Sequence, residues 1–254
     1  MTQKKQIFKK TFHWNLVSDI MRYTEIKNKR VLVIGCNTGL ECEIFRLYGA
    51  KKVVGVDIIE TIGHDYKKKT IKYVRTSAKD LPFKSASFDV CSSFASLEHI
   101  SEPEKIIKNM IRVTDKDGII YCQAAPLWNS PFGHHKDSIF PNDPWIHLRK
   151  KNKEEMKLYY KNICNEIVDG CSIENHIDYI YSKHFNRVSA KEYRNIIASI
   201  LDDYIFRSIL PIHIKIEANN KCKQLLTSNI KKELNQYSED ELCTIELYIV
   251  LKKI

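Results

Sequence analysis

No run of apolar residues approaches the roughly 18 that a helix needs to cross a bilayer, so the chain of 254 residues carries no sign of a helical span. The first ten residues, Met1–Lys10, are basic but lack the apolar centre of a signal peptide. None of the eight cysteines (36, 42, 91, 122, 164, 171, 222 and 243) forms a C-x-x-C pair. Several fall in apolar runs and read as small buried hydrophobes of a reducing compartment, not as zinc ligands or a disulfide framework. A cytoplasmic protein is expected. Internal repeats and low-complexity tracts are also missing. Two phosphate-binding signatures are absent around Gly35. A dinucleotide fingerprint, G-x-G-x-x-G, would need glycine where Asn37 and Leu40 stand. The phosphate-cradling G-x-x-x-x-G-K-S/T is missing because Leu40 follows Gly35 at the fifth position.

What is present is enough for a packed core: 43% of the residues are hydrophobic, and the length suits one α/β domain with an insertion. The formal charge of +10 comes from lysines spread along the chain, with runs at Lys67-Lys68-Lys69 and Arg149-Lys150-Lys151-Asn152-Lys153. These read as solvated surface, which also favours phosphorylated or nucleotide-linked substrates. The organising stretch is Val31-Leu32-Val33-Ile34-Gly35-Cys36-Asn37-Thr38-Gly39-Leu40. Four apolar residues predict a short buried strand, a small-residue turn follows, and Glu41–Tyr48 is amphipathic. Strand, turn and helix in that order bring backbone N–H groups up to a ligand. A second strand, Val53–Val56, ends in Asp57, whose carboxylate is suited to a ribose diol. Together they predict a nucleoside-cofactor site on an α/β sheet.

Further along, Ile71–Arg75 reads as a third strand and Phe88–Phe94 as a fourth. Between them lies Thr76-Ser77-Ala78-Lys79-Asp80-Leu81-Pro82-Phe83, then a polar turn and Phe88-Asp89. Ser92-Ser93-Phe94-Ala95-Ser96-Leu97-Glu98-His99 occupies the carboxyl end of the fourth strand, where open α/β sheets bind ligands. With Gly35-Cys36-Asn37-Thr38-Gly39 as a variant of G-x-G-x-G, these blocks resemble the class I S-adenosylmethionine-dependent methyltransferases, continuously from about Arg30 to Gln123. The sequence departs from the family at Asn37, which replaces the middle glycine, and at Ser77, which stands where an acidic residue faces the adenine. Apolar residues also replace the usual acid near the end of the first strand. The resemblance implies a Rossmann-like, mostly parallel seven-stranded sheet whose last strand is antiparallel, with helices on both faces. It implies S-adenosyl-L-methionine as cofactor and S-adenosyl-L-homocysteine as product. Carried onto this chain, the cofactor contacts are Gly35, Cys36, Asn37, Gly39, Asp57, Ile58, Ser77, Ala78, Ser93 and Phe94.

Residues 1–254 are expected to form a single domain: a leading helical segment over 1–29, a cofactor half over 30–125, an insertion or substrate cap over 126–190, and closing helices and strands over 191–254. Phe8, Phe12, Leu16 and Ile20 at fourfold spacing predict a leading segment of one or two helices, which either packs against the sheet, the commoner case, or covers the cofactor site with Phe12, His13 and Trp14. Ser101-x-x-Glu104 and Ser189-x-x-Glu192 read as capping boxes, and Asp117-Gly118 as a turn into a fifth strand, Ile119–Gln123. Helices are expected at Lys153–Asp169 and Ile173–Tyr181, and late strands at Ile209–Ile216 and Thr244–Leu251. The stretch from Pro126 to Leu148, rich in proline, aromatics and histidine, predicts an insertion after the fifth strand that walls the substrate site.

Methyl transfer from a sulfonium is an in-line displacement, and a sugar hydroxyl as acceptor benefits from a general base. His134 and His135 are the base candidates, with neither preferred, and Glu98 is a third. Trp128, Trp145 and His99 are candidate substrate contacts, and no metal is assigned. The Asn/Asp-Pro-Pro-Tyr block of amino-methylating nucleic-acid enzymes is absent, as is a Pro-Cys nucleophile. The Gly-His-His and Pro-Trp-x-His-Leu insertion, with Phe185-Asn186-Arg187, resembles bacterial methyltransferases acting on sugars of surface polysaccharides. The expected substrate is a carbohydrate or nucleotide-linked sugar, and nucleic acid is not an expected partner. Rival readings are a nucleic-acid or other small-molecule methyltransferase, a non-catalytic cofactor-binding protein of the same fold, and, more distantly, a nicotinamide dehydrogenase.

Overall fold

The computed structural model describes residues 11–205 and 207–254. Five parallel strands are laid down first: β1 (Arg30–Ile34), β2 (Lys52–Asp57), β3 (Ile71–Arg75), β4 (Phe88–Phe94) and β5 (Thr114–Ala124). Two late strands, β6 (Ile209–Lys215) and β7 (Leu247–Lys253), complete a seven-stranded sheet in the order β3-β2-β1-β4-β5-β7-β6. β7 is antiparallel to both of its neighbours. Helices α1 (Phe12–Ile20) and α2 (Leu40–Leu47) cover one face, and α3 (Pro103–Val113) and α5 (Ala190–Tyr204) the other. A further helix, α4 (Ile173–Ile180), belongs to the insertion between β5 and α5.

The central strands β1 and β2 read as short apolar runs because both faces of the sheet are covered there. Val31 and Val33 point into the core beneath α1 and α2, while Leu32 and Ile34 point into the core with α3 and α5. Helix α3 turns Ile106, Ile107, Met110, Ile111 and Val113 onto the sheet, all buried. Each such side chain contributes about 1.5–3 kcal/mol. The insertion has its own small core of Trp128, Phe140, Ile146, Met156, Ile173, Ile177, Ile180 and Phe185. A second cluster joins Trp145 to Cys222, Leu226, Ile230, Leu234 and Leu242 of the segment between β6 and β7. No helix among the described residues is long and apolar enough to cross a membrane.

Several local expectations need correction. Helix α3 starts at Pro103 with Glu102 at its N-cap and no side-chain capping bond, so Ser101 and Glu104 form no capping box. Proline fits the first turn because its missing N–H would have had no intrahelical partner. The helix expected over Lys153–Asp169 ends at Tyr159. Asp117 does take a left-handed turn conformation (φ 62°), but within the long strand β5, opposite a register shift in β4. The box at Ser189 and Glu192 is formed as expected. The leading helix runs from Phe12 to Ile20; Met1–Lys10, with Phe8, lies outside the described residues.

At the amino end of the sheet, Arg30 binds Asp89 with its backbone N–H (2.7 Å), Nε (3.1 Å) and a terminal nitrogen (2.7 Å), and reaches Asp115 at 2.6 Å. These bonds tie β1, β4 and β5 together and hold the Asp89 carboxyl below its ordinary pKa. A depressed pKa stabilises the fold above the ordinary aspartate value, and that gain is lost as pH falls through the folded value. Asp89→Asn is expected to cost about 1.5–3 kcal/mol at neutral pH. In urea melts, the gap to wild type should close as pH drops below about 4; a gap independent of pH contradicts this role.

Candidate functional site

The glycine turn after β1 is shaped by its neighbours before any ligand is considered. Gly35 has φ 70°, and a Cβ there would lie 2.1 Å from Ser96 Oγ at the end of β4. Gly39 (φ 94°) packs against the Tyr73 hydroxyl, which would stand 2.2 Å from its Cβ. Asn37 between them also has a positive φ, 42°, a conformation that asparagine tolerates better than most residues. Its N–H donates to Asp57 Oδ2 at 2.9 Å, and the N–H groups of Ile58 and Ile59 donate to Asp57 Oδ1 at 2.7 and 3.3 Å. The carboxylate at the end of β2 thus holds the turn after β1 in place.

β1 and β4 are neighbours at the point where the strand order reverses, the place where open α/β sheets bind ligands. A cavity of about 520 Å³ opens there, within the ~300–1,000 Å³ of small-molecule sites. Gly35, Asn37, Asp57, Ile58, Ser77, Ala78 and His99 line it, seven of the residues expected from sequence. Ile58 is 66% exposed, an apolar surface set beside the carboxylate. Ser77 uses its hydroxyl to cap the short turn at Ala78–Asp80, accepting from Lys79 N at 3.2 Å. Tyr179 and His184, from the end of the insertion, close the cavity with stacked rings 4.9 Å apart. Neither was expected. A wider groove of about 1,190 Å³ lies along α3 and α5, but it is flanked by ion-paired side chains such as Lys108 with Glu104 and Asp203, and it lies along the helices.

Other expected contacts lie elsewhere. Cys36, Ser93 and Phe94 are buried, with Cys36 and Phe94 in the core beneath α1 and α2, and with Gly39 they do not line the cavity. Trp145 is fully buried, its indole N–H shared between the carbonyls of Asn129 and Leu242 at 3.1 Å each. Trp128 packs in the insertion core under the Arg187 guanidinium, 5.0 Å from its ring. Both tryptophans hold the insertion together and offer no substrate wall.

The two adjacent histidines diverge. His134 is fully buried beside Phe132, Phe140 and His147, and its Nδ1 accepts from Lys136 N at 3.0 Å. Burial pushes its pKa down to about 3. It is closed off from the cavity, which removes it as a base. His135 adopts φ 56° and lies 5.0 Å ring to ring from His99. Burial, with the neighbouring His99, pushes it down to about 4, so it is neutral at pH 7. Glu98, 3% exposed in the turn Leu97–His99, is pushed up to about 8 by burial. Its Oε1 accepts from Ala125 N at 3.3 Å.

Asn186 fixes this turn. Its amide donates to the carbonyls of Leu97 (2.6 Å) and Ile100 (2.9 Å) and to the Tyr193 hydroxyl (3.0 Å), and its own N–H bonds to Glu98 O at 3.0 Å. Phe185 beside it packs on His99 and His135 at 5.3 and 5.0 Å.

Residues 32–122 match the family described as Methyltransferase domain. An uncharacterized methyltransferase of Mycolicibacterium gilvum (strain PYR-GCK) is 30% identical over 128 residues, 48% of this chain and 49% of that protein. One from Mycobacterium sp. (strain KMS) is 37% identical over 68 residues, 27% of each. The chain thus spans about a quarter to a half of the length of these curated relatives. Among solved structures, an S-adenosylmethionine-dependent methyltransferase from Mesorhizobium loti aligns over 96% of this chain and 99% of its own, with TM-score 0.53 and 13% identity. The cyclase SpnF aligns over 94% and 81%, with TM-score 0.54 and 12% identity. At such identities the likeness is one of fold. Sheet order and glycine turn are those of the class I methyltransferase fold, and residues 32–122 match a methyltransferase domain. S-adenosylmethionine is accordingly the cofactor the domain implies.

Asn186→Ala removes the donors to two carbonyls and a hydroxyl, and is expected to lower stability by about 1–3 kcal/mol in chemical denaturation. An unchanged midpoint would contradict the clamp.

Proposed function

We propose that the chain is an S-adenosylmethionine-dependent methyltransferase that O-methylates a hydroxyl-bearing small molecule, a carbohydrate or nucleotide-linked sugar, in the cytoplasm. The observation that carries this reading is the cavity at the β1/β4 switch point with the Asp57 carboxylate facing it. A carboxylate has about four acceptor positions. Asp57 uses three on backbone N–H groups, which leaves one for a ribose hydroxyl. Ile58 offers the apolar surface on which an adenine packs, and Ser77 and Ala78 line the same cavity. These residues fit the cofactor. When bound, it supplies an electrophilic methyl group.

The acceptor side is built by His99, Tyr179 and His184, whose aromatic faces and polar edges suit a sugar. Burial holds the His99 imidazole in its neutral form, able to accept a hydroxyl proton. His135 and Glu98 stand behind His99, away from the cavity lining. The localisation is supported by eight free thiols, most of them buried. Support for a sugar comes from these surfaces alone, with no contribution from Trp128 or Trp145.

Thermal melts should show stabilisation by S-adenosylhomocysteine and none by NAD, with about 2.7 kcal/mol gained at 100 times the Kd. Asp57→Ala should weaken S-adenosylhomocysteine binding at least about tenfold. Stabilisation by NAD alone, or unchanged affinity in the variant, overturns the cofactor reading. Binding without turnover across a panel of nucleotide sugars and other hydroxyl acceptors favours the non-catalytic alternative. His99→Ala should lower kcat by about 10²-fold, with S-adenosylhomocysteine affinity kept. His134→Ala should lower Tm while kcat of the folded enzyme stays within about threefold. Equal kcat losses at both positions would contradict the assignment.

A further inference from the structure

We propose that Glu98, His99 and His135 bind a single divalent transition-metal cation at the edge of the cofactor cavity. One carboxylate oxygen and one ring nitrogen from each histidine all lie within 4.8 Å of one another. Donors bonded to a metal at about 2.0–2.2 Å stand roughly 3–4 Å apart, so small side-chain rotations close the set onto an ion.

The hydrogen bonds around the cluster specify which atoms are left to bind. His99 Nδ1 is 2.8 Å from His184 O, and His135 Nε2 is 3.0 Å from Pro126 O. A carbonyl only accepts, so each of those nitrogens carries the proton. The lone pairs are then on His99 Nε2 and His135 Nδ1. Metal-binding histidines are oriented in this way, their second nitrogen donating to a backbone carbonyl or carboxylate. Phe185 packs against both rings and fixes their planes.

Glu98 supplies an independent observation. Glu98 is only 3% exposed, and its Oε2 has no hydrogen-bond partner among the described residues. Leaving a buried carboxylate oxygen unsatisfied costs more than a neutral group would. A cation held jointly with the two histidines satisfies it.

Two imidazoles and one carboxylate suit Fe²⁺, Mn²⁺, Co²⁺, Ni²⁺ or Zn²⁺ better than Mg²⁺ or Ca²⁺, which prefer oxygen ligands. Three protein ligands leave coordination positions for water or substrate. His99 lines the same cavity as Gly35 and Asp57, so an ion there takes the His99 Nε2 lone pair and, in place of that imidazole as base, can bind an acceptor oxygen and lower its pKa. That role rests on the methyltransferase reading; the metal site does not.

The test is a titration of the full-length protein with Co²⁺, followed by visible absorption, and with Zn²⁺ and Mg²⁺ by calorimetry. S-adenosylhomocysteine binding is measured on the same samples. One equivalent of Co²⁺ or Zn²⁺ is expected to bind, much more tightly than Mg²⁺, with no thiolate charge-transfer band. Glu98→Gln and His135→Ala should each weaken it at least about tenfold, with S-adenosylhomocysteine still bound. Absence of stoichiometric Co²⁺ or Zn²⁺ binding by folded wild type, a thiolate band, or unchanged affinity in both variants overturns the site. If Glu98→Gln fails to fold, the wild-type titration and His135→Ala decide. Metal binding without any S-adenosylhomocysteine binding would keep the site and sink the methyltransferase reading instead.

Discussion

The Asp57 carboxylate, held by the N–H groups of Asn37, Ile58 and Ile59, is the contact on which the cavity depends. It joins the end of β2 to the turn after β1 and so fixes two walls at once. The third wall is the end of β4, where Ser96 packs so tightly on Gly35 that no side chain fits between them. Sheet order, glycine turn and acidic strand end therefore form one constraint. A displaced Asp57 would release the turn as well as the ribose contact proposed for it. Asn37 takes part in that constraint through its backbone, which explains how a non-glycine residue is tolerated at the middle of the turn.

The insertion after β5 is tied to this frame at two places. Trp145 packs it against the helices between β6 and β7, deep in an apolar cluster. Asn186 and Phe185 fasten it to the turn carrying Glu98 and His99. The second tie has chemical consequences. It brings Tyr179 and His184 to the cavity and sets His135 beside His99. The cofactor half is a common frame, whereas the acceptor side is made by contacts particular to this chain. Such frames host more than one reaction, as the likeness to the cyclase SpnF illustrates.

The sheet was legible because strands covered on both faces are short continuous apolar runs ended by glycine, proline or charge. Val31–Ile34 and Val53–Val56 show this directly, the second ended by Asp57. The acceptor side was less legible. His134 and His135 are adjacent, and only the left-handed conformation at His135 sends one ring toward His99 and the other into the core. No periodicity encodes that in an irregular loop. The burial of Trp145 depends on Leu226 and Leu242, about 80–100 residues downstream, a long-range contact that local pattern does not report. Tyr179 and His184 could have been singled out only as aromatic groups near Phe185-Asn186-Arg187, whose tie to the turn after β4 is tertiary.

The claim at the centre of this account is that the cavity at the β1/β4 switch point receives S-adenosylmethionine. A crystal structure of the protein grown with S-adenosylhomocysteine tests it most directly. The account predicts a ribose hydroxyl within about 3.2 Å of Asp57 and the adenine ring packed on Ile58. Ligand density at another place, or a ribose that makes no contact with Asp57, would contradict it.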